Sequence, residues 1–138
     1  MQALLTGIAH VGIRVADLER SLAFYALLGF ELTGGPFGPE PVAILSHPSG
    51  IEINLVLNAP RGAEPNNVLM DLPEKHAGYT HIALSCRSID AAQATLAAAG
   101  VALSGGPITF PGGHRAIFVR DPDRNVLELN EAPNTVSG

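Results

Sequence analysis

The strongest constraint in this sequence is an internal repeat. The segment that begins at Ile8 matches the segment that begins at Tyr79 without a gap, at an offset of 71 residues, and His10 of the first copy falls on His81 of the second. Both copies also end in Gly-Gly-Pro. A self-match of this length indicates that one supersecondary unit is built twice. The fold therefore has to bury its core with two similar modules.

The length of the chain limits how these modules are organised. At 138 residues, of which 46% are hydrophobic, the chain is long enough for one good core and too short for two independent domains. We expect a single domain with one module at about residues 5–57 and the other at about 77–131, joined by a linker at about 58–76.

Each module opens with the pattern of a strand followed by a helix. Apolar residues alternate with polar or small ones, as in a strand with one buried face, and the alternation places His10 and His81 on the other face. Asp17 and Ser88 then stand as N-caps before segments with helical spacing of apolar residues, and a glycine follows each segment as its C′ residue. Because the apolar strand face has to cover the helix, we expect both histidines to face away from it.

Further short strands are predicted after each Gly-Gly-Pro segment, which we interpret as a turn. The predicted strands are Val42–Ser46, Ile51–Leu57, Arg115–Arg120 and Val126–Asn130. This order of elements predicts an α+β fold of two tandem βαβββ modules. The ends of the modules match again at an offset of 74 residues, so that Asn54 falls on Glu128.

A third candidate for chemistry lies in the last predicted strand. Glu128 stands between two leucines, so strict alternation turns its carboxylate to the face opposite theirs, which is the face of His10 and His81. Two imidazoles and one carboxylate leave open positions on a divalent metal, and Fe, Mn, Co, Ni and Zn all accept such ligands. We therefore predict one divalent metal ion bound by these three residues, with substrate bound to it directly.

Charge and composition exclude several classes of partner. The net charge is −5 and no run of Lys or Arg is present, which argues against nucleic acid and acidic membranes as partners. No apolar stretch approaches the length of a membrane span, and no signal-peptide pattern is present, so a cytoplasmic location is expected. The single Cys86 is interpreted as a structural thiol.

These motifs resemble the vicinal oxygen chelate superfamily, which includes glyoxalase I, methylmalonyl-CoA epimerase, fosfomycin resistance proteins, extradiol dioxygenases and bleomycin resistance proteins. The resemblance runs through HVGIRVADLERSLAFYALLGFEL, THIALSCRSIDAAQATLAAAGV and FVRDPDRNVLELNE. Arg124 stands where the family's Asp-Pro-Asp-Gly-Asn motif has Gly. Membership implies paired modules that form an eight-stranded, cup-shaped mixed sheet with the helices outside, a small-molecule substrate and a homodimer.

The resemblance also bears on the ligands and the reaction. It supports His10, His81 and Glu128 as metal ligands, while Asn54 stands where glyoxalase I typically has Glu and the epimerase Gln. In a glyoxalase- or epimerase-like reaction, a carboxylate removes the proton beside a carbonyl whose oxygen the metal holds. We assign catalytic roles to Glu128 and to Glu52, the candidate base; Glu40, in a Pro-rich loop, is a less secure candidate.

Two other functions are also compatible with the sequence. In extradiol dioxygenases the residue ten before the last ligand is commonly Tyr, but here it is Phe118, and His114 is then the candidate for proton transfer. A metal-free binding protein of the bleomycin-resistance type is the third reading. In each, Arg14 is expected to hold an anionic group of the substrate. Asn54, Phe118 and His114 are also predicted to contact the substrate, whereas His47 and Arg120 are interpreted as surface residues.

Overall fold

The computed structural model describes residues 3–62 and 64–133. The chain divides into two compact units, Met1–Ala63 and Glu64–Gly138. Each unit contains one helix and four strands in the order β-α-β-β-β. The first unit contains β1 (Val11–Arg14), α1 (Leu18–Leu27), β2 (Glu31–Phe37), β3 (Val42–Ser46) and β4 (Glu52–Val56). The second contains β5 (His81–Ser85), α2 (Ile89–Ala98), β6 (Gly105–Thr109), β7 (Arg115–Arg120) and β8 (Val126–Glu131).

The two units share one sheet topology. In the first, the strand order is β1-β4-β3-β2, and in the second it is β5-β8-β7-β6. The first and last strands of each unit pair in parallel, and the remaining pairs are antiparallel. The α+β fold with two βαβββ modules is therefore confirmed, and its eight strands form two four-stranded mixed sheets.

The helix-facing side of each sheet forms the core of its unit. In the first unit, Leu45, Ile53 and Leu55 are fully buried together with Tyr25 of α1. In the second unit the equivalent positions are also apolar. They are Val119, Leu127 and Leu129, which are buried together with Ile89 and Leu96 of α2. Because successive side chains of a strand alternate between faces, the other face of each sheet is left for polar groups.

The ends of both helices are confirmed as predicted. The Asp17 carboxylate accepts a hydrogen bond from the Arg20 N–H at 3.0 Å, and the Ser88 hydroxyl accepts one from the Ala91 N–H at 3.1 Å. Gly29 and Gly100 follow the C-cap residues with φ values of 93° and 79°. Positive φ favours Gly at this position, because a side chain there would be strained. Neither α1 nor α2, the helices in the described part of the chain, has the length and hydropathy that a membrane crossing requires.

The interpretation of both Gly-Gly-Pro segments as turns is wrong. They lie inside β2 and at the start of β6, and the register of each strand against its neighbour shifts there. Both are edge strands, and an edge strand tolerates Pro because one side of its backbone has no partner. Gly35 and Gly106 have φ values of 77° and 80°, which break the regular ladder. In both segments the alternation of side chains between the two faces of the sheet is therefore interrupted, although the segments remain part of the sheets.

An ion-pair cluster fastens the segment before β5 to the turn between β7 and β8. The Asp71 carboxylate accepts hydrogen bonds from Arg120 at 2.9 and 3.1 Å and from Arg124 at 2.9 Å. Asn67 donates to the Arg124 carbonyl at 3.0 Å. The interpretation of Arg120 as a solvated surface charge is therefore wrong, because only 20% of its side chain is exposed. No local pattern around Arg120 indicates this pairing with a distant loop residue.

This cluster predicts an acid-sensitive contribution to stability. Hydrogen bonds from Arg124 and Arg120 lower the pKa of Asp71 below its ordinary value. A lowered folded-state pKa stabilises the fold above the unfolded value of about 3.9, and this contribution is lost as the pH falls toward the folded-state pKa. We therefore expect wild type to be more stable than Asp71→Asn at neutral pH, with the difference shrinking below about pH 4.

Urea unfolding at a series of pH values measures this difference. Asp90→Asn is a matched control, because the Asp90 carboxylate is 77% exposed and its ion pair with Arg115 is long, at 3.6 Å. Exposed pairs of this kind contribute little. If the difference in free energy of unfolding between wild type and Asp71→Asn stayed constant from neutral pH to pH 3, the ion pairs would not be the source of that difference.

Candidate functional site

The polar face of the first sheet carries His10 and Glu52. His10 directly precedes β1, and Gly12 of β1 pairs with Asn54 of β4, so that His10 and Glu52 lie side by side on one face. The His10 Nδ1 atom is 3.8 Å from Glu52 Oε2, and the two side chains are 47% and 39% exposed. The structure therefore brings the predicted ligand of this unit next to the predicted base.

Asn54 occupies the position in the first sheet that Glu128 occupies in the second. Asn54 pairs with Gly12 on one side, and Glu128 pairs with Ala83, the repeat equivalent of Gly12. The Oδ1 atom of Asn54 is buried, and the described residues offer it no hydrogen-bond partner. A buried acceptor without a partner is costly, and a ligand group or a bound cation would remove that cost.

Arg14 lies on the same face as His10, at the other end of β1. Its Nε donates to Asn58 Oδ1 at 2.7 Å, and its terminal nitrogen is 3.5 Å from Glu40 Oε1. The Asn58 amide also donates to Glu40, at 2.8 Å. Glu40 is thus engaged by Arg14 and Asn58 and holds the guanidinium in place. The Arg14 side chain is still 61% exposed, which leaves it accessible to an anionic group.

The polar face of the second sheet carries His81 and Glu128. The His81 Nε2 atom is 3.3 Å from Glu128 Oε1, and Glu128 is only 8% exposed. The other ring nitrogen of His81 is 2.8 Å from the Thr80 hydroxyl. A hydroxyl both donates and accepts, so Thr80 can hold the ring in either tautomer. This arrangement matches that of metal-binding histidines, whose second nitrogen is usually held by an oxygen.

Two further predicted residues flank this pair. The ring of Phe118 lies edge-on to His81, with the ring centres 6.3 Å apart, and Phe118 pairs directly with Glu128 in the sheet. His114 reaches the same face through Asn130: the His114 Nδ1 atom is 2.7 Å from Asn130 Oδ1, and Asn130 Nδ2 donates to Glu128 Oε2 at 2.8 Å. Asn130 was missed in the sequence, although its position two residues after Glu128 places it on the same face.

The predicted site residues thus form two groups, one in each unit. His10 and Glu52 are adjacent in the first, and His81 and Glu128 are adjacent in the second. Within the described part of either unit, no three His, Cys, Asp or Glu side chains form a metal-binding group. The three-ligand set of His10, His81 and Glu128 draws on both units and stays a prediction.

Comparison with known proteins gives a consistent family. The model of the Glyoxalase/Bleomycin resistance protein/Dioxygenase superfamily matches residues 7–129. A protein named lactoylglutathione lyase from Haemophilus influenzae is 34% identical over 141 residues, which cover 95% of this chain and 96% of that relative. The match therefore runs through both modules.

Solved structures agree with this match. A glyoxalase/bleomycin resistance protein/dioxygenase domain from Frankia sp. EAN1pec is 25% identical, covers 95% of both chains and has a TM-score of 0.74. A genomically encoded fosfomycin resistance protein from Listeria monocytogenes shares the fold with a TM-score of 0.69 at 20% identity, over 95% of this chain and 97% of that one. The chain belongs to the glyoxalase/bleomycin resistance protein/dioxygenase superfamily, the vicinal oxygen chelate superfamily whose motifs its sequence resembles.

Proposed function

We propose that this protein is a metal-dependent lyase of the glyoxalase type, which acts on a small, oxygen-rich substrate and transfers a proton next to a carbonyl. The observation that carries the proposal is the contact between His81 Nε2 and Glu128 Oε1 on the polar face of the second sheet. The relative named lactoylglutathione lyase, 34% identical along nearly the whole chain, supports a lyase over other activities of the superfamily.

The donor set suits a divalent metal. His81 and Glu128 supply one imidazole and one carboxylate, and His10 is proposed as the third ligand. The partnerless Oδ1 of Asn54 is a further oxygen that would accept a metal or a substrate hydroxyl. A bound divalent metal would supply Lewis-acid polarisation of a substrate carbonyl oxygen. Fe, Mn, Ni, Co and Zn are all compatible with these ligands.

The remaining polar groups are proposed to handle the proton and to orient the substrate. Glu52 is the candidate base, because its carboxylate is accessible and lies beside His10. Glu128, the second carboxylate, is proposed to act both as ligand and in catalysis. Arg14, with its guanidinium oriented by Glu40 and Asn58, is proposed to bind an anionic group of the substrate.

Phe118 is proposed to provide an apolar wall beside His81, and His114 is proposed to contact the substrate from the turn before β7. We further propose that the protein forms a homodimer, as the superfamily commonly does, and acts in the cytoplasm.

Metal content and oxygen consumption distinguish this proposal from the alternatives. The protein is purified under nitrogen, its metals are quantified, and it is assayed with the hemithioacetal of methylglyoxal and glutathione and, separately, with catechol and oxygen. We expect turnover of the hemithioacetal and no oxygen uptake. Oxygen uptake with iron that is lost in air would favour an extradiol dioxygenase. A protein without metal that turns over neither compound would favour a binding protein.

A further inference from the structure

A continuous chain of hydrogen bonds runs along the polar face of the second sheet. Its members are His114, in the turn before β7, and Asn130 and Glu128 of β8. The His114 Nδ1 atom lies 2.7 Å from Asn130 Oδ1, and Asn130 Nδ2 lies 2.8 Å from Glu128 Oε2. In the sheet, Asn130 pairs with Ser85 on one side and with Ala116 on the other, and both have small side chains.

The chemistry of the groups fixes the direction of each bond. An ionised carboxylate only accepts hydrogen bonds, so the Asn130 amide has to turn its NH₂ group toward Glu128 and its oxygen toward His114. That oxygen is in turn only an acceptor, so the Nδ1 atom of His114 has to carry the hydrogen. In neutral His114 the Nε2 atom is then an acceptor. Among the residues that the structure describes, no hydrogen bond to this Nε2 is present, and the side chain is exposed.

We propose that Asn130 is a positioning residue with two tasks, an inference that rests on the proposed function. It holds Glu128 by Oε2, so that Oε1 faces His81, and it fixes the tautomer of His114, so that Nε2 accepts a hydrogen bond from an N–H or O–H group of the substrate. Glu128 Oε1 is indeed the oxygen within 3.3 Å of His81. A substrate with an amide or hydroxyl donor near its reacting carbonyl fits this acceptor.

The tautomer can be measured without any turnover. Long-range ¹H–¹⁵N correlation spectra of the full chain without added metal, recorded well above the ordinary His pKa of about 6.5, report which ring nitrogen of His114 carries the hydrogen. His114→Gln assigns the signal. We expect the hydrogen on Nδ1 in wild type and a shift toward Nε2 in Asn130→Ala. A hydrogen on Nε2 in wild type, or no change in Asn130→Ala, would overturn the proposal.

Kinetics with the hemithioacetal separate the two tasks. We expect Asn130→Ala to lower kcat about 10- to 100-fold with little change in KM, as for other residues that orient a metal ligand. His114→Ala should act mainly on KM and raise it about 2- to 10-fold, the equivalent of one hydrogen bond. Asn66→Ala and His76→Ala, both at exposed positions, are the matched controls.

Asn130→Asp tests whether the residue merely fills space. Asp has the same shape but cannot donate to Glu128, so kcat should fall at least as far as in Asn130→Ala. Wild-type kcat in Asn130→Asp would indicate a packing role and overturn the proposal. If wild type turns over no hemithioacetal while the tautomer is as expected, the proposed function and the substrate contact both fail, and the hydrogen-bonded chain is still supported.

Discussion

Replacement of Glu128 by Gln is expected to lower kcat for the hemithioacetal by more than about 100-fold, because loss of a residue that only supports a metal ligand already costs about 10- to 100-fold. Gln has the shape of Glu without its charge, so the core of the second unit should be unaffected. Steady-state kinetics measure the loss, and circular dichroism with thermal unfolding verifies the fold. Glu128 is 8% exposed, so the substitution also removes a charge that is almost fully buried.

The matched control is Glu74→Gln in the same unit. The Glu74 side chain is 85% exposed and lies 3.9 Å from His76. The kcat of Glu74→Gln should equal that of wild type. If Glu128→Gln retained wild-type kcat, Glu128 would not be a metal ligand. The active site would then not depend on a carboxylate in the second sheet.

Gly106→Ala is expected to destabilise the protein by about 3–5 kcal/mol, since it combines backbone strain with a steric overlap. Gly106 has a φ of 80°, and an added Cβ would lie 2.5 Å from the Ala116 carbonyl oxygen and 3.1 Å from Ile117 Cα. Both neighbours are backbone atoms of β7, so neither can move without disturbing the sheet. Urea unfolding at neutral pH measures the change.

Gly100→Ala separates the two causes. Gly100 has nearly the same φ, 79°, but an added Cβ there would meet nothing within 4 Å. Its cost should be the backbone strain alone, about 1–2 kcal/mol. Equal destabilisation by both variants would show that β7 yields to the added methyl group and that the close approach of β6 to β7 does not constrain the fold.

The sequence predicts most of the fold because the periodic patterns of strands and of helices can be recognised within short segments. The alternation within each strand indicates which face a residue occupies once one apolar face is known, and it predicts that His10, Glu52, His81 and Glu128 all lie on the face away from the helix. Which of them are adjacent depends on the order of the strands, and the structure places His10 beside Glu52 and His81 beside Glu128. The repeat then relates Asn54 to Glu128, and the strand pairing agrees with that relation. Residue faces could therefore be predicted well.

The incorrect predictions have a different cause. The sequence predicts surface positions for Arg120 and His47, but each side chain contacts a segment that is distant in the sequence. The His47 ring lies 3.0 Å from the Leu28 carbonyl at the end of α1 and 5.0 Å from the Phe30 ring. Such contacts depend on how loops fold back onto the sheet, which no local pattern encodes. The Gly-Gly-Pro segments resemble turns in sequence because the same residues also occur in irregular edge strands.

The pairing of carboxylates with histidines differs between the two units, and a simple repeat does not predict this. Glu52 lies directly beside His10 in the sheet register, whereas Glu128 lies two residues further along β8 than Val126, the partner of His81. The repeat therefore supplies equivalent histidines with carboxylates at different positions. This asymmetry supports different roles for Glu52 and Glu128, as base and as ligand.

The most direct test of the proposed function is an assay of hemithioacetal turnover by the full chain. Metal is removed from the protein, and turnover is measured before and after one divalent metal at a time is added back. The metal-free protein should be inactive, and one or more of Fe, Mn, Ni, Co and Zn should restore activity at about one ion per chain, with His81→Ala failing to recover. Full activity in the metal-free protein, or equal recovery by wild type and His81→Ala, would contradict a metal-dependent lyase built on His81 and Glu128.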